Sequence, residues 1–227
     1  MKYIIVGLGS FGSSLGEKLT ALGHEVIGID TNMAKVELFK ERLSHTILLD
    51  ATDELTVAGL PLRDTDVVII AIGENEGSNI MATALFKNLQ VKRLISRAIN
   101  PLHQRVLQAI GVDQIVHPEE ETAERWSKKL SMTDVIDSFE LSKDFSILEV
   151  KVPRGLVGKK IVEINFRSKY NLLVLTTIKR AATTSDFGKR TEEDTVQGVA
   201  GPEDLLEEDD ILVIFGSKRD LRKFTNR

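Results

Sequence analysis

Short apolar runs alternate with amphipathic stretches over the first half of the chain. Between residue 1 and about residue 117, six runs rich in β-branched residues are separated by stretches whose apolar positions recur every three or four residues. The runs cover residues 3–6, 25–29, 46–49, 67–70, 94–96 and 114–116. Strands that alternate with helices in this way form parallel sheets. The pattern therefore predicts an α/β domain, a Rossmann-like doubly wound sheet, over residues 1–117.

The second half of the chain carries a different pattern. Pro118 followed by three glutamates predicts a helix that runs to about residue 130, within a crossover segment over residues 118–133. Beyond it, strands at 145–152, 172–178 and 211–215 and helices at 161–168 and 218–224 predict a small α+β domain over residues 134–227. Residues 181–201, rich in Thr, Glu, Asp and Gly, are predicted to form a mobile loop.

The first predicted strand runs into a glycine-rich turn, and an acid follows the second strand. Gly7, Gly9 and Gly12 have the GxGxxG spacing, and Asp30 ends the next apolar run. In dinucleotide folds these glycines allow a tight turn, close approach of a pyrophosphate and close packing of the helix, while the acid binds the adenosine ribose. A carboxylate there disfavours NADP because it repels a 2′-phosphate. The alternative is a glycine turn that binds nothing.

Polar or small residues follow the third, fourth and fifth predicted strands, where open α/β sheets bind their ligands. Asp50 and Thr52 could line the ribose and base, or could simply cap the next helix. Arg97 could bind a phosphate with two parallel hydrogen bonds, or lie solvated at the surface. The predicted nucleotide contacts are Gly7, Gly9, Ser10, Phe11, Gly12, Asp30, Thr31, Asp50, Ala51, Thr52, Ala71, Ile72, Gly73 and Arg97.

Composition excludes several kinds of chemistry. The 227 residues include no Cys, so disulfides and thiolate sites are absent. The charge balance of 30 basic and 34 acidic residues, without a basic cluster, argues against nucleic-acid binding. The longest apolar run, residues 67–72, is far shorter than the roughly 20 residues that span a bilayer, so we expect a soluble chain. Neither Tyr3 nor Tyr170 is followed four positions later by Lys, and no catalytic set is visible. The sequence predicts a protein that is not an enzyme, with an NAD-dependent oxidoreductase as the alternative.

The ordered motifs over roughly residues 2–226 resemble single-copy RCK proteins, the regulatory subunits of Trk/Ktr-type potassium transporters. The resemblance rests on the glycine loop, the Gly28-Ile29-Asp30 strand end, Asp50-Ala51-Thr52, Ala71-Ile72-Gly73, Gly111-Val112-Asp113 with His117-Pro118-Glu119, and Pro202-Glu203-Asp204-Leu205. It implies an N-terminal TrkA-N domain and a small C-terminal RCK domain. It also implies a cytoplasmic homo-oligomeric ring, typically an octamer, that docks on a membrane pore subunit and gates potassium flux when a nucleotide changes its shape.

The same resemblance implies ligands and roles for particular residues. NAD(H) or ATP/ADP would bind the glycine loop and Asp30, with Arg97 at the phosphates. Glu119 would meet a divalent cation, although three acids in a first helical turn also suit the helix dipole alone. Ktr-type members often carry Arg at the position of Ser10, so we expect weak discrimination between ATP and ADP. Cyclic di-AMP would bind the C-terminal domain around residues 164–167. A ring whose nucleotide is purely structural and never exchanges is a further alternative.

Overall fold

A computed structural model describes residues 1–131, 135–184 and 190–225 of the chain. The chain divides into two compact units, residues Met1–Glu120 and Glu121–Arg227. Each unit has its own sheet and its own apolar core.

The first unit contains a six-stranded parallel sheet in the order β3-β2-β1-β4-β5-β6. Its strands are β1 Lys2–Val6, β2 Glu25–Asp30, β3 His45–Leu48, β4 Val67–Ile70, β5 Leu94–Arg97 and β6 Gln114–Val116. Its helices are α1 Ser10–Ala21, α2 Met33–Phe39, α3 Glu54–Val57, α4 Glu76–Asn88 and α5 Pro101–Ile110, and α6 Pro118–Ser131 follows. This strand order belongs to dinucleotide-binding folds. The six predicted strands are confirmed, each within one residue at either end.

Alternate residues of the central strands enter two different cores. In β1, Ile4 packs in one apolar cluster and Ile5 packs in the other. In β4, Val68 and Val67 are divided in the same way. Because both faces of the sheet are covered, the central strands are apolar throughout, which is why they read as continuous hydrophobic runs in the sequence.

The second unit contains a five-stranded sheet in the order β10-β9-β11-β8-β7, in which every pairing is antiparallel. Its elements are β7 Val135–Glu140, β8 Phe145–Lys151, α7 Ile161–Ile164, α8 Phe166–Tyr170, β9 Leu173–Thr184, β10 Arg190–Val196, β11 Ile211–Ser217 and α9 Lys218–Thr225. The predicted α+β class is confirmed. The core of the unit includes Leu148, Leu206, Leu212 and Phe224.

The predicted mobile loop over residues 181–201 is wrong in large part. Strand β9 continues to Thr184, and β10 pairs with it from Arg190 to Val196, while residues 185–189 lie outside the described residues. Asp194, Thr195 and Val196 are all exposed. Where neither face of a strand is buried, as at residues 194–196, the sequence shows no apolar alternation and looks like a loop.

The helix predicted over residues 161–168 is divided in two. Asn165 lies between α7 and α8 with a φ of 54°, in the left-handed region that ends a helix. The same residue lies within the segment that the family resemblance connects with cyclic di-AMP, and that ligand remains a prediction. Strand β7 was not predicted from the sequence.

Candidate functional site

The glycine loop joins the end of β1 to the start of α1. Gly7 has a φ of +97°, a backbone conformation that residues other than glycine rarely adopt. Its N–H donates a hydrogen bond to the carbonyl oxygen of Ile29 at 2.7 Å. Gly9 is the N-cap residue of α1 and provides no side-chain cap. The first turn of a helix has N–H groups without intrahelical acceptors, and they carry partial positive charge. The loop therefore presents donors suited to an anion such as a phosphate.

Gly9 and Gly12 have different structural surroundings. A Cβ placed on Gly12 would lie 2.0 Å from the carbonyl oxygen of Gly7 and 3.0 Å from Cβ of Ala71, so only glycine fits there. A Cβ placed on Gly9 would meet no protein atom within 4 Å. Gly12 is thus needed for packing of α1 against the strand ends, whereas the space beside Gly9 is open.

Asp30 ends β2 beside the glycine loop and is buried. Its Oδ2 accepts a hydrogen bond from the N–H of Leu8 at 2.8 Å, and its Oδ1 accepts one from the N–H of Asn32 at 2.9 Å. The Nζ of Lys35, in the first turn of α2, lies 3.7 Å from Oδ2. Asp30 therefore fixes the glycine loop while its carboxylate still borders the cleft described below.

Asp50 and Thr52 form a turn at the end of β3. Oδ1 of Asp50 accepts hydrogen bonds from the Thr52 N–H at 2.9 Å and from its hydroxyl at 2.7 Å. These bonds, the backbone one first, hold the pKa of the Asp50 carboxyl below its usual value. The cap of α3 is Asp53, whose side chain accepts from the N–H of Leu55. The alternative that Asp50 or Thr52 caps the next helix is therefore wrong.

Arg97 at the end of β5 lies directly over Gly73. A Cβ on Gly73 would come within 2.2 Å of Nη1 of Arg97, so a side chain there would displace the guanidinium from this position. Nη1 approaches the carbonyl of Ala71 at 3.4 Å, and Nη2 donates to the carboxylate of Glu119 in the first turn of α6. The Nε atom is buried without a hydrogen-bond partner among the described residues. The guanidinium is thus held in place but has unused donor capacity.

A buried polar network fixes the strand ends beside Arg97. Asn79 of α4 is fully buried, and its Nδ2 donates to the carbonyls of Ile72 at 2.8 Å and Arg97 at 3.2 Å. Its Oδ1 accepts from the hydroxyl of Ser96 at 3.1 Å and from that of Thr83 at 3.3 Å. Satisfied buried networks of this kind make local geometry rigid. The network connects the ends of β4 and β5 through α4.

These groups line one cleft of about 600 Å³ at the carboxyl ends of the strands. The cleft includes the ends of β1 and β4, where the strand order reverses and where open α/β sheets bind ligands. Every residue predicted to contact a nucleotide lines it except Gly12, which packs behind the loop, and Glu119 lines it too. Sequence reasoning missed the lining residues Val6, Ile29, Lys35, Leu49, Glu74, Asn75 and Ser78. Val6, Ile29 and Leu49 lie at or just after strand ends, which was the available signal, whereas Lys35 and Ser78 lie in the first turns of the helices that follow.

The shape and donor set of the cleft fit a nucleotide. The open first turn of α1 suits phosphates, the Asp30 carboxylate can accept hydrogen bonds from ribose hydroxyls, and Arg97 adds a cation with unused donors. The described residues contain no group of three His, Cys, Asp or Glu side chains arranged to hold a metal ion. A divalent cation at Glu119 remains a prediction, and in this structure Glu119 pairs with Arg97.

Comparison with known proteins agrees with this geometry. The profile of the TrkA-N domain matches residues 3–118, which include, apart from Lys2 at the start of β1, all six strands of the first unit and every residue of the cleft lining except Glu119. The chain belongs to the TrkA-N family. The Ktr system potassium uptake protein A of Bacillus subtilis (strain 168) is 34% identical over 225 residues, covering 99% of this chain and 96% of that protein. The resemblance to RCK proteins of potassium transport is therefore confirmed.

Solved structures share the fold of this TrkA-N family member at lower identity. The crystal structure of the GsuK RCK domain is 20% identical with a TM-score of 0.65, and the match covers 99% of this chain and 47% of that one. The GsuK channel bound to NAD is also 20% identical, with a TM-score of 0.62 over 97% of this chain and 38% of that one. This chain spans less than half the length of either structure. None of the helices in the described parts of the chain has both the length and the apolar character needed to cross a bilayer.

Proposed function

We propose that this chain is a nucleotide-sensing regulatory subunit of a potassium transporter and that it acts without catalysing a reaction. The observation that carries the proposal is the cleft at the end of β1. The first turn of α1, the buried carboxylate of Asp30 and the guanidinium of Arg97, which has unused hydrogen-bond donors, all line this space. The potassium uptake protein that matches almost the whole chain supports the transport role. The partner would be the pore subunit of the transporter in the membrane.

The proposed arrangement of the ligand follows from the strand ends. Phosphates would lie on the first turn of α1, with Arg97 as a second phosphate contact. The ribose would lie beside Asp30, and the base or second nucleoside would lie against the turns after β3 and β4. NAD(H) and ATP/ADP are the candidate ligands because each carries an adenosine and at least two phosphates.

A nucleotide can regulate a transporter only if it binds one conformation of the subunit more tightly than the other. We propose that the subunits form a homo-oligomeric ring on the cytoplasmic side of the membrane and that nucleotide exchange changes the shape of this ring. Binding alone is therefore insufficient. Two nucleotides must differ in the assembly or conformation that they stabilise.

Calorimetric titration of the purified chain with ATP, ADP, AMP, NAD and NADH, combined with light scattering, tests both parts of the proposal. We expect saturable binding of at least one adenine nucleotide by an oligomer larger than a dimer. A nucleotide-dependent change in hydrodynamic size would support sensing. If none of the five ligands binds, the proposal is wrong.

Replacing Arg97 with Met is expected to weaken binding of ligands with two or more phosphates by tenfold or more. The reason is the loss of a charge-assisted contact, worth roughly 1.5–3 kcal/mol. Calorimetry measures the change. Arg93→Met is the matched control, because Arg93 precedes the same strand and its Nη2 donates to Gln114 at 2.8 Å, away from the cleft lining. If Arg97→Met and Arg93→Met bind the ligand with equal affinity, Arg97 does not contact the phosphates.

Glu119→Gln is expected to remove any rise in thermal stability that a divalent cation produces in the presence of nucleotide. Arg97 must release Glu119 before a cation can bind there, so we expect the rise to require a ligand with phosphates that occupies Arg97. The measurement is the melting temperature with Mg²⁺ or Ca²⁺, with and without ATP. Glu120→Gln, one residue further along α6, is the control. An unchanged rise in Glu119→Gln would exclude this residue as a ligand.

A further inference from the structure

Lys35 lies beside the acid that is proposed to bind the ribose. Its Nζ is 3.7 Å from Oδ2 of Asp30, and its side chain is 34% exposed whereas that of Asp30 is 8% exposed. Both residues line the cleft, and so does the exposed Thr31 between them. Lys35 is therefore the more exposed partner of the pair, within the lining of the cleft.

The carboxylate of Asp30 is not a bare negative charge. It accepts hydrogen bonds from the N–H groups of Leu8 and Asn32, and the Lys35 ammonium lies close enough for an ion pair. The +1 charge of Lys35 offsets the −1 charge of Asp30, and Asp50, which follows the neighbouring strand β3, adds one further carboxylate to the lining. The sequence prediction that Asp30 repels a 2′-phosphate considered the acid alone, without this neighbour.

We infer that the cleft accepts adenosine with a 2′-phosphate, as in NADP(H), in addition to NAD(H), and that Lys35 binds this phosphate. The inference rests on the proposed function, because it assigns the ribose to Asp30. A 2′-oxygen that donates to Asp30, or that carries a phosphate instead, lies next to Oδ2 and hence next to Nζ of Lys35. In dinucleotide folds that bind NADP, a cationic Arg near this position accommodates the 2′-phosphate.

Arg97 cannot replace Lys35 in this role. Arg97 ends β5 and Asp30 ends β2, and the sheet order β2-β1-β4-β5 separates these strands by three strand spacings, roughly 14 Å. Arg97 also pairs with Glu119. Among the described residues that line the cleft, there is no Lys or Arg other than Lys35 and Arg97. Lys35 would thus bind the 2′-phosphate, and Arg97 would bind the pyrophosphate.

The test compares ligands that differ by one phosphate. NAD and NADP, and AMP and adenosine 2′,5′-bisphosphate, are titrated by calorimetry against the wild-type chain, Lys35→Met and Lys35→Arg. Lys40→Met is the matched control, since Lys40 directly follows the same helix as its C-cap residue, is exposed, pairs with Glu37 at 3.8 Å and does not line the cleft. A series at increasing salt accompanies the titrations, because a phosphate contact with an exposed ammonium weakens as salt screens it.

We expect the wild type to bind NADP within about tenfold of NAD. Lys35→Met should weaken NADP and adenosine 2′,5′-bisphosphate by roughly tenfold or more, while NAD and AMP change by less than about threefold. Lys35→Arg should bind NADP with an affinity close to that of the wild type, and Lys40→Met should leave the affinities for all four ligands unchanged.

Three results would overturn the inference. NAD binding without NADP binding in the wild type would show that Asp30 still rejects the phosphate. Equal losses for both members of each pair in Lys35→Met would make Lys35 a structural neighbour of Asp30. Failure to bind any of the four ligands would also overturn the inference, whereas the proposed function fails only if ATP, ADP and NADH do not bind either, so the two failures are distinguishable.

Discussion

Replacing Asp30 with Ala is expected to lower nucleotide affinity by at least a hundredfold and to destabilise the glycine loop. The substitution removes the proposed ribose acceptor, and it also leaves the N–H groups of Leu8 and Asn32 without their acceptor. Each hydrogen bond to a charged group contributes roughly 1.5–3 kcal/mol. We therefore expect the free energy of unfolding of the first unit to fall by about 3 kcal/mol.

Two measurements separate the effects of the Asp30 substitution. Chemical denaturation gives the change in stability, and calorimetry at a temperature where the variant is folded gives the change in affinity. Asp53→Ala is the control, since Asp53 is an exposed acid that caps α3 through Leu55. Its loss should cost about 1 kcal/mol and leave nucleotide binding unchanged.

A variant of Asp30 that keeps its shape covers the case in which Ala unfolds the unit. Asp30→Asn retains a carbonyl oxygen that can accept from one of the two N–H groups, but it loses the charge. We expect it to fold and to bind adenine nucleotides more weakly than the wild type. Wild-type affinity in both Asp30 variants would rule out this residue as the ribose contact and would contradict the proposed site.

The first unit could be predicted from the sequence because its signals are local. Each central strand is a continuous apolar run since both of its faces are buried, as the division of Ile4 and Ile5 between two cores shows. The glycine spacing and Asp30 lie within one strand-helix-strand unit, so their joint position follows from the fold class. The predicted site residues at or after the ends of β3, β4 and β5 line the same cleft because the carboxyl ends of parallel strands lie at one edge of the sheet.

The features that the sequence did not predict depend on contacts between residues far apart in the chain, or lie in segments without a buried apolar face. That Gly73 admits Arg97 is a contact across 24 positions, and neither residue alone indicates it. The role of Asp53 as the α3 cap, rather than Asp50, depends on where the turn begins. Residues 194–196 of β10 are exposed, and Asn165 ends a helix through its backbone conformation, so hydrophobic periodicity indicates neither feature.

Gly12→Ala is expected to lower chiefly the stability of the first unit, and Gly9→Ala is expected to lower chiefly its affinity for nucleotide. A Cβ on Gly12 would lie 2.0 Å from the carbonyl oxygen of Gly7, a backbone atom whose movement would displace the loop that Asp30 holds. We expect Gly12→Ala to lower the free energy of unfolding by about 3 kcal/mol or more, at the upper end of overpacking effects.

Gly9→Ala should fold almost normally, because the added Cβ meets no protein atom within 4 Å and the backbone of Gly9, with φ of −75°, is accessible to Ala. We expect a stability loss of about 1 kcal/mol or less from the weaker N-cap. Nucleotide affinity should fall at least tenfold, since the methyl group would occupy the space beside the first turn of α1.

Denaturation and calorimetry on the two glycine variants therefore distinguish architecture from ligand binding within one loop. A Cβ added to Gly12 would clash with the protein, whereas a Cβ added to Gly9 would meet no protein atom. Apart from the modest preference for glycine at an N-cap, only a bound ligand would therefore favour glycine at position 9. A stable Gly9→Ala variant that binds no nucleotide would support the phosphate position on α1. A stable variant with unchanged affinity would show that phosphates do not approach Gly9, and the loop would then act only to pack α1 against the sheet.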